Sequence, residues 1–309
     1  MNKSAETKKY MPLVGAAGIG SMLGSGIIIG LSATITVWQS GLGLTDGQVG
    51  ILSGALTFAI AAGSLLAGNI TKLFGLIRSF NMMNLMYLIG AAICVLSGNF
   101  PVLLAGLIIT GFASGADLPI SLTVISHDAP NEKVSASLIA STQVFWQIGV
   151  LGSYAMAFIV SHVEGAAGAR MVFALLAVLA GIAFVWRTFS KKFKEFHAAG
   201  DEYRAAEGTK TSTEVSFASL FKGTDGKKYV SFFSCIIIFY VCWNLLANTF
   251  GQFQTYILVK ANASQSLATG CGIVLNIVGL ICGILFASAA GSKHRNKFFY
   301  VGIVIQAGA

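Results

Sequence analysis

The chain repeatedly returns to apolar runs close to the thickness of a lipid bilayer. They fall at 12–38, 48–71, 79–98, 101–126, 134–162 and 168–188 and, after a polar stretch, at 229–258 and 265–290. About 20 apolar helical residues cross a hydrocarbon core. No water reaches the backbone there, so a spanning segment must satisfy its own N–H and C=O groups. A helix does this within one segment. The sequence therefore predicts an all-α, polytopic membrane protein. A ninth apolar run begins near Phe298, and the sequence ends at Ala309. That leaves about twelve residues, too few to span. The expectation is a C-terminally truncated chain.

Composition agrees. Charged residues make up 10% of the chain, where a soluble domain carries about 25%. The 36 glycines against 4 prolines suit closely packed membrane helices. The net charge of +8 lies between the apolar runs, which points to membrane orientation and not to nucleic acid. With the N-terminus in the cytoplasm, all the lysines and arginines except Arg170 and Lys260 fall on the cytoplasmic side. The basic start MNKSAETKKY leads into a run longer than a signal-peptide core, so it reads as a first spanning helix. Cys94, Cys235, Cys242, Cys271 and Cys282 lie in apolar runs without metal-ligand spacing and read as buried small hydrophobes.

Residues 189–228 form the one long polar stretch. Mixed charge suggests a cytoplasmic linker with a short amphipathic helix. Six apolar runs precede it, so the chain divides into 1–188, a six-helix half; 189–228, the linker; and 229–309, part of a second half.

Polar residues inside the spans carry the functional expectation, since each costs free energy there. Thr110, Ser114, Asp117 and Ser121 share one face of the fourth span. The stripe reads as a water-lined face on which Asp117 takes up a proton; a structural hydrogen bond is the alternative. In the seventh run Tyr240, Asn244, Asn248 and Gln252 recur every four residues, with Trp243 beside them. Amides both donate and accept, which suits a hydroxyl-rich ligand, and an aromatic ring can stack on a sugar. The alternative is helix–helix bonding, worth about 0.6 kcal/mol each. Gln143 and Gln147 flank Trp146 on the fifth span, and Asn276 is a lone amide among Gly272, Gly279 and Gly283 on the eighth, where close helix packing is the equal alternative. Ser21, Ser25, Ser32 and Thr36 on the first span read as packing contacts. The sequence reading places no lysine or arginine inside a span, which favours a neutral solute over an anion.

Several classes are excluded. His127, His162, His197 and His294 lie near helix ends or in loops and form no metal-ligand spacing, and no GxxxxGK[ST] loop is present. An enzyme, a metal site, a cofactor and an ATP-driven pump are therefore not expected. Asn262–Ala263–Ser264 matches a glycosylation tripeptide that arises often by chance.

Six spans, a polar linker and further spans resemble the major facilitator superfamily. GNITKLFGLIR is similar to that family's loop signature through Gly68 and Gly75; Lys72 and Leu73 replace the usual acidic and basic residues, and Arg78 lies late. Residues 107–133 resemble the sugar-porter signature through Gly111, Gly115, Ala129–Pro130 and Lys133, with Leu107, His127 and Val134 departing from it. The resemblance implies two six-helix halves with a solute site between them. It also implies sugar-contacting roles for Gln143, the seventh-span amides and Asn276. Proton symporters of this family often carry an acid in helix one. Here that span has none, which leaves Asp117 or a facilitator. The expectation is proton-coupled transport of a sugar-like metabolite by a monomer in a bacterial inner membrane. The alternatives are an organic-acid transporter, or a membrane sensor or inactive fragment.

Overall fold

The computed structural model describes residues 9–206 and 226–290, together with 297, 300–302 and 304. Nine helices account for nearly all of them: α1 (Met11–Leu42), α2 (Asp46–Phe74), α3 (Leu76–Leu96), α4 (Phe100–Asp128), α5 (Glu132–Ile159), α6 (Ala167–Phe189), α7 (Lys191–Ala206), α8 (Gly226–Lys260) and α9 (Gln265–Ala290). Among the described residues seven are long and apolar enough to cross a membrane, and α8 adds the apolar stretch Val230–Cys242. The protein is thus a polytopic helical membrane protein, and every apolar run up to 290 became a helix. The run near Phe298 lies largely outside the described residues, as does most of the linker beyond α7.

Local chemistry sets the boundaries. Pro12 sits in the first turn of α1, where its missing N–H costs nothing, and Gly43 ends that helix at φ 63°. Thr45 and Gln48 close a reciprocal capping box on α2. Asn99 and Asn131 cap α4 and α5 through Val102 N (3.1 Å) and Val134 N (2.9 Å). α2 and α3 are joined by Gly75 alone, at φ 83° and ψ 151°. A side chain is strained in that conformation, so the loop-signature glycine has a backbone reason.

α2 packs on α4, α1 on α5, and α3 on both α4 and α6. Lipid offers little hydrophobic drive between helices, so close approach carries the association. A Cβ on Gly115 would stand 2.0 Å from the Ile60 carbonyl, and one on Gly63 2.1 Å from that of Phe112. These two glycines let α2 and α4 meet backbone to backbone. One core cluster, including Leu31, Ile35, Trp38, Leu103 and Phe173, fills the bundle from its middle to the end remote from Met11. A second, including Leu13, Phe80, Ile125, Phe193 and Phe196, fills the near end and seats α7.

α8 rests on α1, and α9 on α5 and α8. The bonds that tie them to the first six helices run from the middle of the bundle to its remote end. Ser32 donates to Gly251 O (2.8 Å), Thr36 to Gln265 (2.6 Å), and Gln265 to Ala33 O (2.7 Å). Lys260 pairs with Asp46 (3.1 Å), and Ser161 meets Ser266 (2.8 Å). Toward the near end, Phe232, Ile236 and Phe239 of α8 are exposed.

One sequence expectation is corrected here. Cys94 is buried, but Cys235, Cys242 and Cys282 are exposed and Cys271 is half-buried. All four lie on α8 and α9, which pack against the other described helices along one side only.

Candidate functional site

α4 turns Asp117 away from water, and the residue is 3% exposed. Arg187 of α6 meets it with two bonds, Nη1 to Oδ1 at 2.5 Å and Nη2 to Oδ2 at 3.1 Å. Such a fork matches a carboxylate plane. Ser121, one turn on, donates to Oδ2 at 3.2 Å. The guanidinium also donates to Ala16 O from Nε and Nη2 (3.0 and 2.8 Å) and to Phe80 O from Nη1 (2.9 Å). It lies 3.8 Å from the Phe80 ring centre, a cation–π contact. The Asn84 amide, turned oxygen-first, accepts from Nη1 and Nε at 2.6 and 3.0 Å. Gly20 of α1 completes the chamber: a Cβ there would lie 1.9 Å from Asp117 Oδ2.

This corrects two sequence expectations. The stripe Thr110, Ser114, Asp117 and Ser121 is buried throughout and faces protein, not water. And a span does contain a cation. Arg187 lies within the apolar run 168–188, two residues before α6 ends, and is 2% exposed. Its side chain folds back into the bundle because a carboxylate and two backbone carbonyls compensate its charge there. The neighbouring Lys191 and Lys192 disguised it as one of the linker's charges.

The amides of α8 form a second centre. Tyr240, Asn244, Asn248 and Gln252 line an open cleft of about 680 Å³ between α8 and α2, with Thr57 and Phe58 on the opposite wall and Val241, Leu245 and Phe253 making much of its lining apolar. That volume is of the size that holds a small solute. Asn248 donates to Asn244 Oδ1 (2.5 Å), Asn244 to Tyr240 O (2.8 Å), and Gln252 to Thr57 Oγ1 (2.8 Å). The amide oxygens of Asn248 and Gln252 take no proton from the described residues, which leaves acceptors for a hydroxyl group. Thr57 was not anticipated from sequence; only the register of α2 against α8 identifies it. Trp243 lies on α8 with its side chain outside the described residues.

The other candidates are not gathered into this cavity. On α5, Gln143 is exposed, and Trp146 and Gln147 are half-buried; the Trp146 carbonyl accepts from Ser25 (2.7 Å). Asn276 donates to Gly272 O on its own helix (2.8 Å). In the loop signature, Lys72 and Arg78 are exposed, and Ser79 donates to Gly75 O (2.8 Å). Neither basic side chain forms an ion pair among the described residues.

The chain belongs to the Major Facilitator Superfamily, whose family model it matches over residues 14–309. It is 30% identical over 292 residues to the minor myo-inositol transporter IolF of Bacillus subtilis (strain 168), covering 92% of this chain and 64% of that protein. It is 26% identical over 153 residues to the D-xylose-proton symporter-like 2 of Arabidopsis thaliana, 48% of this chain and 30% of that one. Against the niacin transporter NiaP of Acinetobacter baylyi the figures are 27% over 160 residues, 50% and 35%. The chain thus spans just under two thirds of the length of the inositol transporter. The fold is similar to the crystal structure of a D-xylose-proton symporter (TM-score 0.68, 15% identity, 91% of this chain and 69% of that one). It is also similar to the inward open xylose transporter XylE from E. coli (TM-score 0.67, 15% identity, 91% and 69%).

Proposed function

We propose that the protein carries a small, neutral, hydroxyl-rich solute, a sugar or cyclitol, by proton-coupled alternating access. The observation that carries this is the α8 amide ladder lining a solute-sized cavity. Closely spaced donors and acceptors with no net charge suit hydroxyl groups and offer an anion no partner. The buried cation does not weaken the reading. Arg187 is neutralised by Asp117 and occupied by two backbone carbonyls, so it has little left for a solute carboxylate. The similarity to an inositol transporter over most of the chain points the same way.

In this reading residues 1–188 form one half, 189–228 a cytoplasmic linker and 229–309 part of the second half. The protein works as a monomer, needs no cofactor, catalyses no reaction and sits in a bacterial plasma membrane with its N-terminus in the cytoplasm. With that orientation, the bonds between α8–α9 and the first six helices lie toward the outer side. Asp117 takes up the coupled proton, and its protonation frees Arg187.

The relative that transports niacin favours a second reading, an organic-acid carrier. Uptake into proteoliposomes separates the two. Labelled myo-inositol and xylose are expected to enter and to be driven by an inward proton gradient, while nicotinate is not. Nicotinate uptake without polyol uptake would establish the second reading. No uptake of any of them would leave a sensor or an inactive fragment.

A further inference from the structure

A second buried acid lies on the same face of α4 as Asp117, three turns further along. Asp128, at the end of the helix, is fully enclosed and holds one histidine on each oxygen. His127 Nδ1 lies 2.8 Å from Oδ1, and His197 Nδ1 of α7 lies 2.5 Å from Oδ2. His127 then reaches α7 again: its Nε2 stands 3.3 Å from Asp201 Oδ1. The α7 backbone runs directly over the ring. A Cβ on Gly200 would stand 2.8 Å from His127 Nδ1.

The proton count follows from these contacts. Asp128 accepts, so each Nδ1 carries a hydrogen. A neutral His127 therefore presents a bare Nε2 lone pair to the Asp201 carboxylate, acceptor against acceptor. Adding a proton turns that contact into an ion pair between α4 and α7. His197 behaves differently. Its Nε2 is buried and has no hydrogen-bond partner among the described residues, so a proton there would form no ion pair between α4 and α7. The charged groups in contact at this junction include Asp128 and His127 from α4 and Asp201 and His197 from α7, and Lys9, just before α1, lies 5.7 Å from the Tyr10 ring centre. α3 presents the Phe80 ring to His197, with centroids 6.5 Å apart, and α1 presents Tyr10 to Phe196 at 5.0 Å.

We infer that His127 is a proton-operated latch that fastens the linker helix α7 to the end of α4 through Asp201, closed when His127 is charged and loosened when it is neutral. Docking of α7 then tightens as pH falls. This gives the chain a second proton-sensitive element, separate from the solute cavity and independent of which solute is carried.

Hydrogen exchange over 191–206 in the purified chain, corrected for the intrinsic effect of pH, tests it from about pH 5 to about pH 8, where histidines titrate. Protection is expected to be about threefold greater at the acid end, the scale of one exposed ion pair. His127→Gln should flatten that slope. So should Asp201→Asn, a change at an exposed side chain that leaves the bundle intact, as unchanged exchange in α1–α6 will verify. His197→Gln should lower protection at every pH and keep the slope. A flat wild-type profile, a slope that survives His127→Gln, or one lost only in His197→Gln would overturn the inference.

Discussion

Replacing Arg187 with alanine is expected to destabilise the bundle by about 3–5 kcal/mol, the scale for removing one partner of a buried ion pair. The loss has several parts. Asp117 would remain inside α1, α4 and α6 as an uncompensated carboxylate. The carbonyls of Ala16 and Phe80, which now accept from the guanidinium, would lose that donor. Phe80 would lose the cation on its face. Removing both charges together removes the orphan, so Asp117→Leu combined with Arg187→Met should recover most of the folded protein. Thermal melting followed by size-exclusion chromatography of detergent extracts measures this. An Arg187→Ala protein as stable as wild type would mean that the pair does not hold the helices together.

Asp117→Asn should behave differently. The substitution leaves Arg187 without its counter-charge, but the amide keeps an oxygen for it and the guanidinium retains the Ala16 and Phe80 carbonyls, so the protein should fold, at a smaller cost than Arg187→Ala. It cannot take up and release a proton. Accumulation of solute against its gradient should therefore be lost, while exchange of internal for external solute continues. Both are read in the same proteoliposomes, with and without a proton gradient. Undiminished accumulation would remove Asp117 from coupling and leave its pair with Arg187 as structural. Loss of both activities in a well-folded protein would place the pair in the conformational cycle itself.

The helices were readable because the bilayer imposes a single length scale and a single way to satisfy the backbone. Interior polar residues were readable as exceptions to that rule. Asp117 stood out, and the four-residue rhythm of Tyr240, Asn244, Asn248 and Gln252 named one wall of a cavity. Partners were harder to read. Periodicity reports the face of a helix, not what that face meets, so Thr57 opposite Gln252 gave no signal. Arg187 did give one: it sits inside an apolar run, and a lone buried acid requires a counter-charge. Asp117 to Arg187 is a step of 70 residues, and Asp128 to His197 one of 69. Both pairs join α4 to the segment that runs from the end of α6 into α7. A one-dimensional reading that judged each histidine by its local spacing missed them.

The most direct test is solute binding to purified protein carrying Asn244→Ala, Asn248→Ala or Gln252→Ala, measured by calorimetry with the polyol that wild type transports best. Each lost hydrogen bond to a neutral solute is worth about 1 kcal/mol, so affinity should fall by about fivefold for each change while the helical bundle stays folded. Unchanged affinity in all three variants would contradict the placement of the solute against α8.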